Sequence, residues 1–264
     1  MRSKFKTSVI YNVLILSLSF GLTLSAANAD LATTQAMAEQ GNADAQFELG
    51  VLYHEGNGVE QDSNRVVEWL TKAANQGQAK AQYVLGAMHY FGKDVKQDYT
   101  KAREWWQKSA EQGYDEAQYS LGVMYSHGEG VAQSDNQAFN WYQKAAKQGH
   151  ADAQNNLAVM YENGSGMTKD YAKAVMWYQK SAAQGLTEAE YNLAWMFENG
   201  YGVDQDYKQA FNWYLKAAEQ GDAMAAYVIG MMYNYGRGVQ QDKSQADIWL
   251  NKACGSGVQT RCNQ

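Results

Sequence analysis

Glycine recurs at Gly41, Gly77, Gly113, Gly149, Gly185, Gly221 and Gly257, each 36 residues after the last, with no insertion or deletion between them. A fixed period of this size marks a chain made of one supersecondary unit stacked on copies of itself, since a single unit cannot bury its own apolar face. The stretch Gly185 to Gln220 shows the unit whole. Its period therefore predicts a solenoid before any other feature is weighed.

Within each unit the first half carries apolar residues at helical spacing, as in Ala117, Leu121, Met124 and Tyr125, or Ala189, Leu193, Met196 and Phe197. Spacings of four, three and one lie on one face of a helix, here called A. Small residues beside the leucine, Gly86, Gly122 and Gly230 with Ala158 and Ala194, predict close approach of a neighbouring helix. Paired glycines follow at Gly56 and Gly58, Gly128 and Gly130, Gly164 and Gly166, Gly200 and Gly202, and Gly236 and Gly238, with Gly92 and Asp94 in the second unit. They suit a helix stop that needs positive φ, which Asp also tolerates. A phosphate-cradling loop is rejected, because such loops follow a strand and open a helix, whereas these follow a helix in every unit.

Asp62, Asp98, Asp170, Asp206 and Asp242, with Ser134 once, stand just before a second periodic run and are expected to cap helix B rather than to act as catalytic carboxylates. Helix B holds Trp69, Trp105, Trp141, Trp177, Trp213 and Trp249 at one unvarying slot, three residues after Val66 or an alanine. A tryptophan row invites sugar stacking, but its helical phase with small partners predicts core packing.

The ends constrain the compartment. Arg2, Lys4 and Lys6 precede an apolar run from Val9 to Leu24, and Ala27-Asn28-Ala29 offers small residues where a signal peptidase reads. Residues 1–29 are therefore expected to be a signal peptide cleaved before Asp30; the run is short of the ~20 apolar residues a spanning helix needs. The leader holds three basic and no acidic residues, so its removal lowers the formal charge of −6 by three to −9. Binding a phosphate backbone needs a basic face, and here Lys and Arg are scattered among acids, so nucleic acid is not expected as a partner. The two cysteines, Cys254 and Cys262, are expected to pair in an exported chain, with two free thiols as the alternative.

The pattern Ala-x-x-x-Leu-Gly-x-x-Tyr, then Gly-x-Gly-Val-x-x-Asp, then Ala-x-x-Trp-x-x-x-Ala-Ala-x-x-Gly resembles the Sel-like repeat (SLR) family, relatives of tetratricopeptide repeats. The resemblance implies an all-α, right-handed α/α superhelical solenoid of antiparallel helix pairs, its inner face lined mainly by A helices. It divides the chain into a cap at 30–40, six units at 41–76, 77–112, 113–148, 149–184, 185–220 and 221–256, and a terminal cap at 257–264. The Cys254 to Cys262 spacing looks like the short bridge of the cysteine-rich Helicobacter members, here confined to the last unit.

Function is expected on the other face of helix A. One slot holds Phe47, Tyr83, Tyr119, Asn155, Tyr191 and Tyr227; the next Val51, Ala87, Val123, Val159, Trp195 and Met231; the third His54, Tyr90, Ser126, Glu162, Glu198 and Asn234. These match the positions that usually touch ligands in tetratricopeptide repeats, so Phe47, Tyr83, Tyr90, Tyr119, Asn155, Glu162, Tyr191, Trp195, Glu198, Tyr227 and Met231 are the expected ligand-binding set of a concave groove. Rings with polar tips are favoured in recognition. The alternative is that the tyrosines fill gaps between A helices, and that Trp195 repacks against Tyr191 or Tyr227.

No catalytic set emerges. His54, His89, His127 and His150 are dispersed without a His-Glu-x-x-His arrangement, so neither metal nor cofactor is expected. Ser134-Asp135-Asn136 spells one β-lactamase-type motif, but the Ser-x-x-Lys lies in the leader and Lys-Thr-Gly is absent from the sequence. The expected function is a non-catalytic, monomeric, periplasmic or secreted scaffold that binds a protein or peptide and has no membrane span once the leader is removed. Alternatives are an envelope factor that binds or weakly hydrolyses peptidoglycan or β-lactam-like ligands, and a secreted factor acting on host proteins.

Overall fold

The computed structural model describes residues 24–255, which form thirteen α-helices and no strand. The expected leader falls largely outside these residues, as do the terminal segment 257–264 and with it Cys262. The chain divides into two compact units between Ser134 and Asp135, inside the third repeat and between its A and B helices.

The first unit holds α1 (Leu24–Glu39), α2 (Ala43–Glu55), α3 (Ser63–Asn75), α4 (Ala79–Phe91), α5 (Tyr99–Glu111) and α6 (Asp115–His127). The second holds α7 (Asp135–Lys147), α8 (Ala151–Asn163), α9 (Tyr171–Ala182), α10 (Thr187–Asn199), α11 (Tyr207–Glu219), α12 (Ala223–Tyr235) and α13 (Lys243–Gly255). In each unit every helix packs chiefly on its neighbours in sequence, the arrangement of a helical-repeat stack. Helix α1 runs across the expected cleavage point before Asp30 and rests on α2 through Ala38, which joins Ala45, Leu49 and Trp69 in one buried cluster.

The core follows the predicted helical faces. Ala81, Ala117, Leu121, Met124, Ala189, Leu193 and Met196 are buried, as are Ala102, Ala138, Ala174 and Ala210 from the B helices. The small slot beside the A-helix leucine receives the residue after the tryptophan of its own repeat. A methyl group on Gly86 would stand 2.3 Å from Cδ1 of Trp106, so glycine here is set by the bulk of the ring opposite. Where the slot is Ala158 or Ala194, the B helix offers Tyr178 or Tyr214 in place of tryptophan.

The turn between helices closes by the same bonds in nearly every repeat. The first glycine caps helix A in the left-handed region, as where the Gly164 amide donates to the Met160 carbonyl at 2.8 Å. The second glycine has an additional reason: a methyl group on Gly202 would lie 2.4 Å from the Tyr171 carbonyl, at the start of the preceding B helix. Asp94 takes that place in the second repeat at φ 59° and instead accepts a hydrogen bond from Ser63 Oγ at 2.9 Å. The capping aspartates act twice. Asp206 accepts from the Lys208 and Gln209 amides at 2.9 and 3.0 Å, while its own amide donates to the Phe197 carbonyl at 3.0 Å and ties B back to A. Asp62, Asp98, Asp170 and Asp242 cap in the same way. The glutamine before the aspartate adds a further tie, Gln205 Nε2 donating to the Glu198 carbonyl at 2.8 Å and Gln97 Nε2 to the Tyr90 carbonyl at 2.9 Å.

Candidate binding face on the A helices

The three slots of the candidate face lie along helix A at spacings of four and three, so they share one side of it. In the first unit that side is largely closed. Val51, Ala87 and Val123 are buried. Tyr83, expected to line an open groove, is 0% exposed: its ring stacks on Trp106 at 6.4 Å and tilts against Tyr114 at 5.3 Å. The neighbouring rings, rather than a ligand, explain tyrosine at that slot. Tyr90 is also buried, packed against Phe91, Tyr99 and Trp106, with its hydroxyl donating to Glu129. Both residues thus belong to the packing of the first unit, and only Phe47 and Tyr119 of the expected set keep a half-buried position there.

The second unit leaves more of the face open. Tyr191, Trp195, Tyr227 and Met231 are all half-buried. The Trp195 ring sits 5.0 Å from that of Tyr201, and Tyr201 in turn stacks on Tyr171 at 5.0 Å and 18°. Trp195 thus packs on Tyr201, while Tyr191 meets Tyr214 edge-on at 5.3 Å. The result is an aromatic ledge of Trp195, Tyr201 and Tyr171, of which Tyr201 is exposed.

Asn155, Glu162 and Glu198 are drawn into the structure. Asn155 is buried and its Oδ1 accepts from Asn192 Nδ2 at 3.1 Å, joining two repeats. Glu162 accepts from the Tyr178 hydroxyl at 2.7 Å and Glu198 from the Tyr214 hydroxyl at 2.8 Å. Burial, followed for Tyr178 by this hydrogen bond and for Tyr214 by the charge of Glu198, pushes both phenols far above their ordinary pKa. Each pair links the A and B helices of one repeat.

Three sets of residues that pattern reading passed over now have roles. Lys72, Lys108, Lys144, Lys180, Lys216 and Lys252 each lie over the tryptophan three residues before them, at 3.9 to 4.5 Å from the ring centroid. The tryptophan row thus edges the core under a lysine lid instead of offering an open face to a sugar. Buried Gln46, Gln82, Gln118 and Gln154 donate through Nε2 to the carbonyls of Ala38, Ala74, Ala110 and Ala146 at 3.0 to 3.1 Å, tying each of the first four repeats to the B helix or cap before it. Gln76, Gln112 and Gln184 complete the chain by donating to Gln46, Gln82 and Gln154 at 2.6 to 2.8 Å. Trp106, Tyr142, Tyr178 and Tyr214, one residue past the tryptophan slot, are the large buried side chains of the B helices. All three sets recur at the 36-residue period, which is the signal that would have found them.

The histidines hold local structure. His150 Nδ1 accepts from the Ala153 amide at 3.2 Å and caps α8, His127 Nδ1 lies 3.0 Å from the Val123 carbonyl, and burial lowers the pKa of His54. Among the described residues no group of three or more His, Cys, Asp or Glu could hold a metal ion, and no helix is long and apolar enough to cross a membrane.

Comparison with known proteins places this architecture. The chain shares 36% identity and a TM-score of 0.84 with a protective antigen present in uropathogenic Escherichia coli strains that displays an SLR fold; the match covers 87% of this chain and 49% of that one. This chain therefore spans about half the length of the antigen. A Sel1 repeat protein from Oxalobacter formigenes is 31% identical with a TM-score of 0.73, over 86% of this chain and 94% of that one. No curated protein matches the chain. The model of the Sel1 repeat matches residues 43–78, 79–114, 115–150, 151–186, 187–222 and 223–258, six consecutive units each set two residues beyond the glycine-bounded ones. With tandem helix pairs, repeat motifs and solved relatives in agreement, the chain belongs to the Sel1 repeat family, a helical solenoid of the tetratricopeptide kind.

Proposed function

We propose that this protein is a non-catalytic, exported scaffold that captures a protein or peptide segment on the A-helix face of its second unit. The observation that carries the reading is the half-buried set Tyr191, Trp195, Tyr227 and Met231, extended by exposed Tyr201; the first unit buries Val51, Ala87 and Val123 in the slot of Trp195 and Met231, and buries Tyr83 in the other while Phe47 and Tyr119 stay half-buried. Amphipathic rings held by a rigid helix present contact area at low entropic cost, which is what binding hot spots require. Sel1 repeats form a scaffold fold typical of protein–protein interaction, and the basic-apolar start of the chain together with its similarity to a protective antigen supports export to the periplasm or beyond.

The test is affinity capture from an envelope extract, comparing wild type with Tyr191→Ala/Trp195→Ala, with circular dichroism as a folding control. A partner retained by wild type and lost by the folded double variant supports the reading. Equal capture by both sinks it.

A further inference from the structure

The boundary between the fourth and fifth repeats combines three features. The A-helix slot that holds Gln46, Gln82, Gln118 and Gln154 in the first four repeats holds Glu190 in the fifth, 4% exposed, and apolar Ala226 in the sixth. It keeps the acceptor half of the role, taking a hydrogen bond from Gln220 Nε2 at 2.8 Å. The donor half is missing: where the glutamines donate to the carbonyl eight residues back, a carboxylate has no hydrogen to offer Ala182. Second, the residue before the A helix is Leu186, whose side chain makes no cap, as Tyr114 makes none in the third repeat, whereas Asn42, Gln78, His150 and Asp222 each accept from a helix amide. Third, the amides of Gln78, Tyr114, His150 and Asp222 donate to a carbonyl five residues back at 3.0 to 3.2 Å; the Leu186 amide has no such bond among the described residues.

We propose that this joint is proton-gated: a neutral Glu190 carboxyl donates to the Ala182 carbonyl and closes the boundary as the glutamines do, and loss of that proton loosens the link between α9 and α10. In the register of the glutamines Glu190 stands to the Ala182 carbonyl as Gln82 stands to that of Ala74, and both carbonyls already take a backbone amide, here Gly185 at 3.0 Å; two acceptors in that register need a proton between them in place of the donor that Gln82 supplies. Desolvation raises the Glu190 pKa; the charges that act on it are Lys216 and Glu219, both from α11 and opposed in sense, while the charged residue in the last turn of α9, Lys180, lies over Trp177. Helix α9 also ends one residue early, at twelve residues against thirteen in the other B helices.

The sign follows from linkage. The closed joint holds the proton more tightly than the open one, so opening releases it and is favoured as pH rises. Closure is complete below the ordinary glutamate pKa and declines from there up through the raised folded value. The gate stands whether or not the nearby face, which includes the adjacent Tyr191, binds a partner.

Hydrogen exchange followed by mass spectrometry on the whole protein between pH 4 and 8, corrected for intrinsic rates, reads the joint directly. In wild type, protection across 186–191 relative to the matching segment 150–155 falls on the order of tenfold as pH rises. Glu190→Gln removes that dependence and keeps the joint closed at pH 8. Gln154→Glu adds the same dependence at the preceding boundary. A Glu190→Gln protein with the wild-type pH profile, a wild-type profile that is flat, or a Gln154→Glu protein without a new pH response would each overturn the gate.

Discussion

The two units use the same helix register to different ends. In the first, the middle slot of the A helices is buried three times, at Val51, Ala87 and Val123; in the second, Val159, Trp195 and Met231 all stay half-buried. Side-chain size does not account for it, since Val159 is the same residue as Val51 and Val123. The surroundings decide. Tyr83 and Tyr90 lie flat over the first unit around Trp106, whereas the second unit replaces the tyrosine at one such slot with Asn155 and ties it to Asn192. A repeat can therefore be closed or open for recognition by changing what its neighbour offers, without touching the residues that define the fold.

The sharpest way to break this comparison is at its most buried ring. Tyr83→Ala should destabilise by about 3 to 5 kcal/mol, the cost of emptying an aromatic core site, while Tyr191→Ala should cost about 1 kcal/mol. Urea denaturation followed by circular dichroism checks both, and equal losses would erase the distinction between units. The next effect separates two kinds of tyrosine hydroxyl. Tyr214→Phe should cost about 1 to 2 kcal/mol, because Glu198 loses its donor, a figure reduced by the half-exposure of the carboxylate. Tyr83→Phe should change stability by less than about 0.5 kcal/mol, since the buried Tyr83 hydroxyl makes no well-formed hydrogen bond and has only a marginal contact with the equally buried Ser120 Oγ. Asp62→Ala and Asp206→Ala sample the turn chemistry that both units share, and thermal melts should show similar losses of about 1 kcal/mol. A marked inequality between them would mean that the turns, and not only the A-helix faces, differ. Smallest of all, Lys216→Ala uncovers the Trp213 ring and should lower stability by about 0.5 kcal/mol, with a change in tryptophan emission as the more sensitive readout.

The fold was legible because its causes repeat. Leu121, Gly128, Asp206 and Trp213 are each one of several copies in register, so period and helical phase together assign them to core, cap or turn. The candidate face was legible only in part. Helical phase put Tyr83 and Tyr191 on the same stripe, but one is buried and the other open because of residues on other helices, Trp106 and Tyr114 in the first case and Tyr214 in the second. A one-helix pattern carries no information about partners across a packing interface. Helical phase assigns Glu162 and Glu198 to a polar groove for the same reason; the tyrosines that claim them lie sixteen residues away on the B helix. The glutamine chain was overlooked although its spacing is plain, because a polar residue in a repeat invites assignment to the surface, and only its burial reveals the boundary it spans.

That chain of glutamines has a consequence for how such a protein can change length. The boundaries of the first four repeats are joined by the same donor and acceptor, as Gln76 to Gln46 and Gln112 to Gln82, with Gln82 and Gln118 reaching back to Ala74 and Ala110. Excising residues 77–112 would set Gln118 opposite Ala74, where Gln82 stands now, and every connector would find an identical socket. The molecule is thus a ruler whose marks are interchangeable: whole repeats can be added or removed by recombination, while an indel of any other size would break the joint at once.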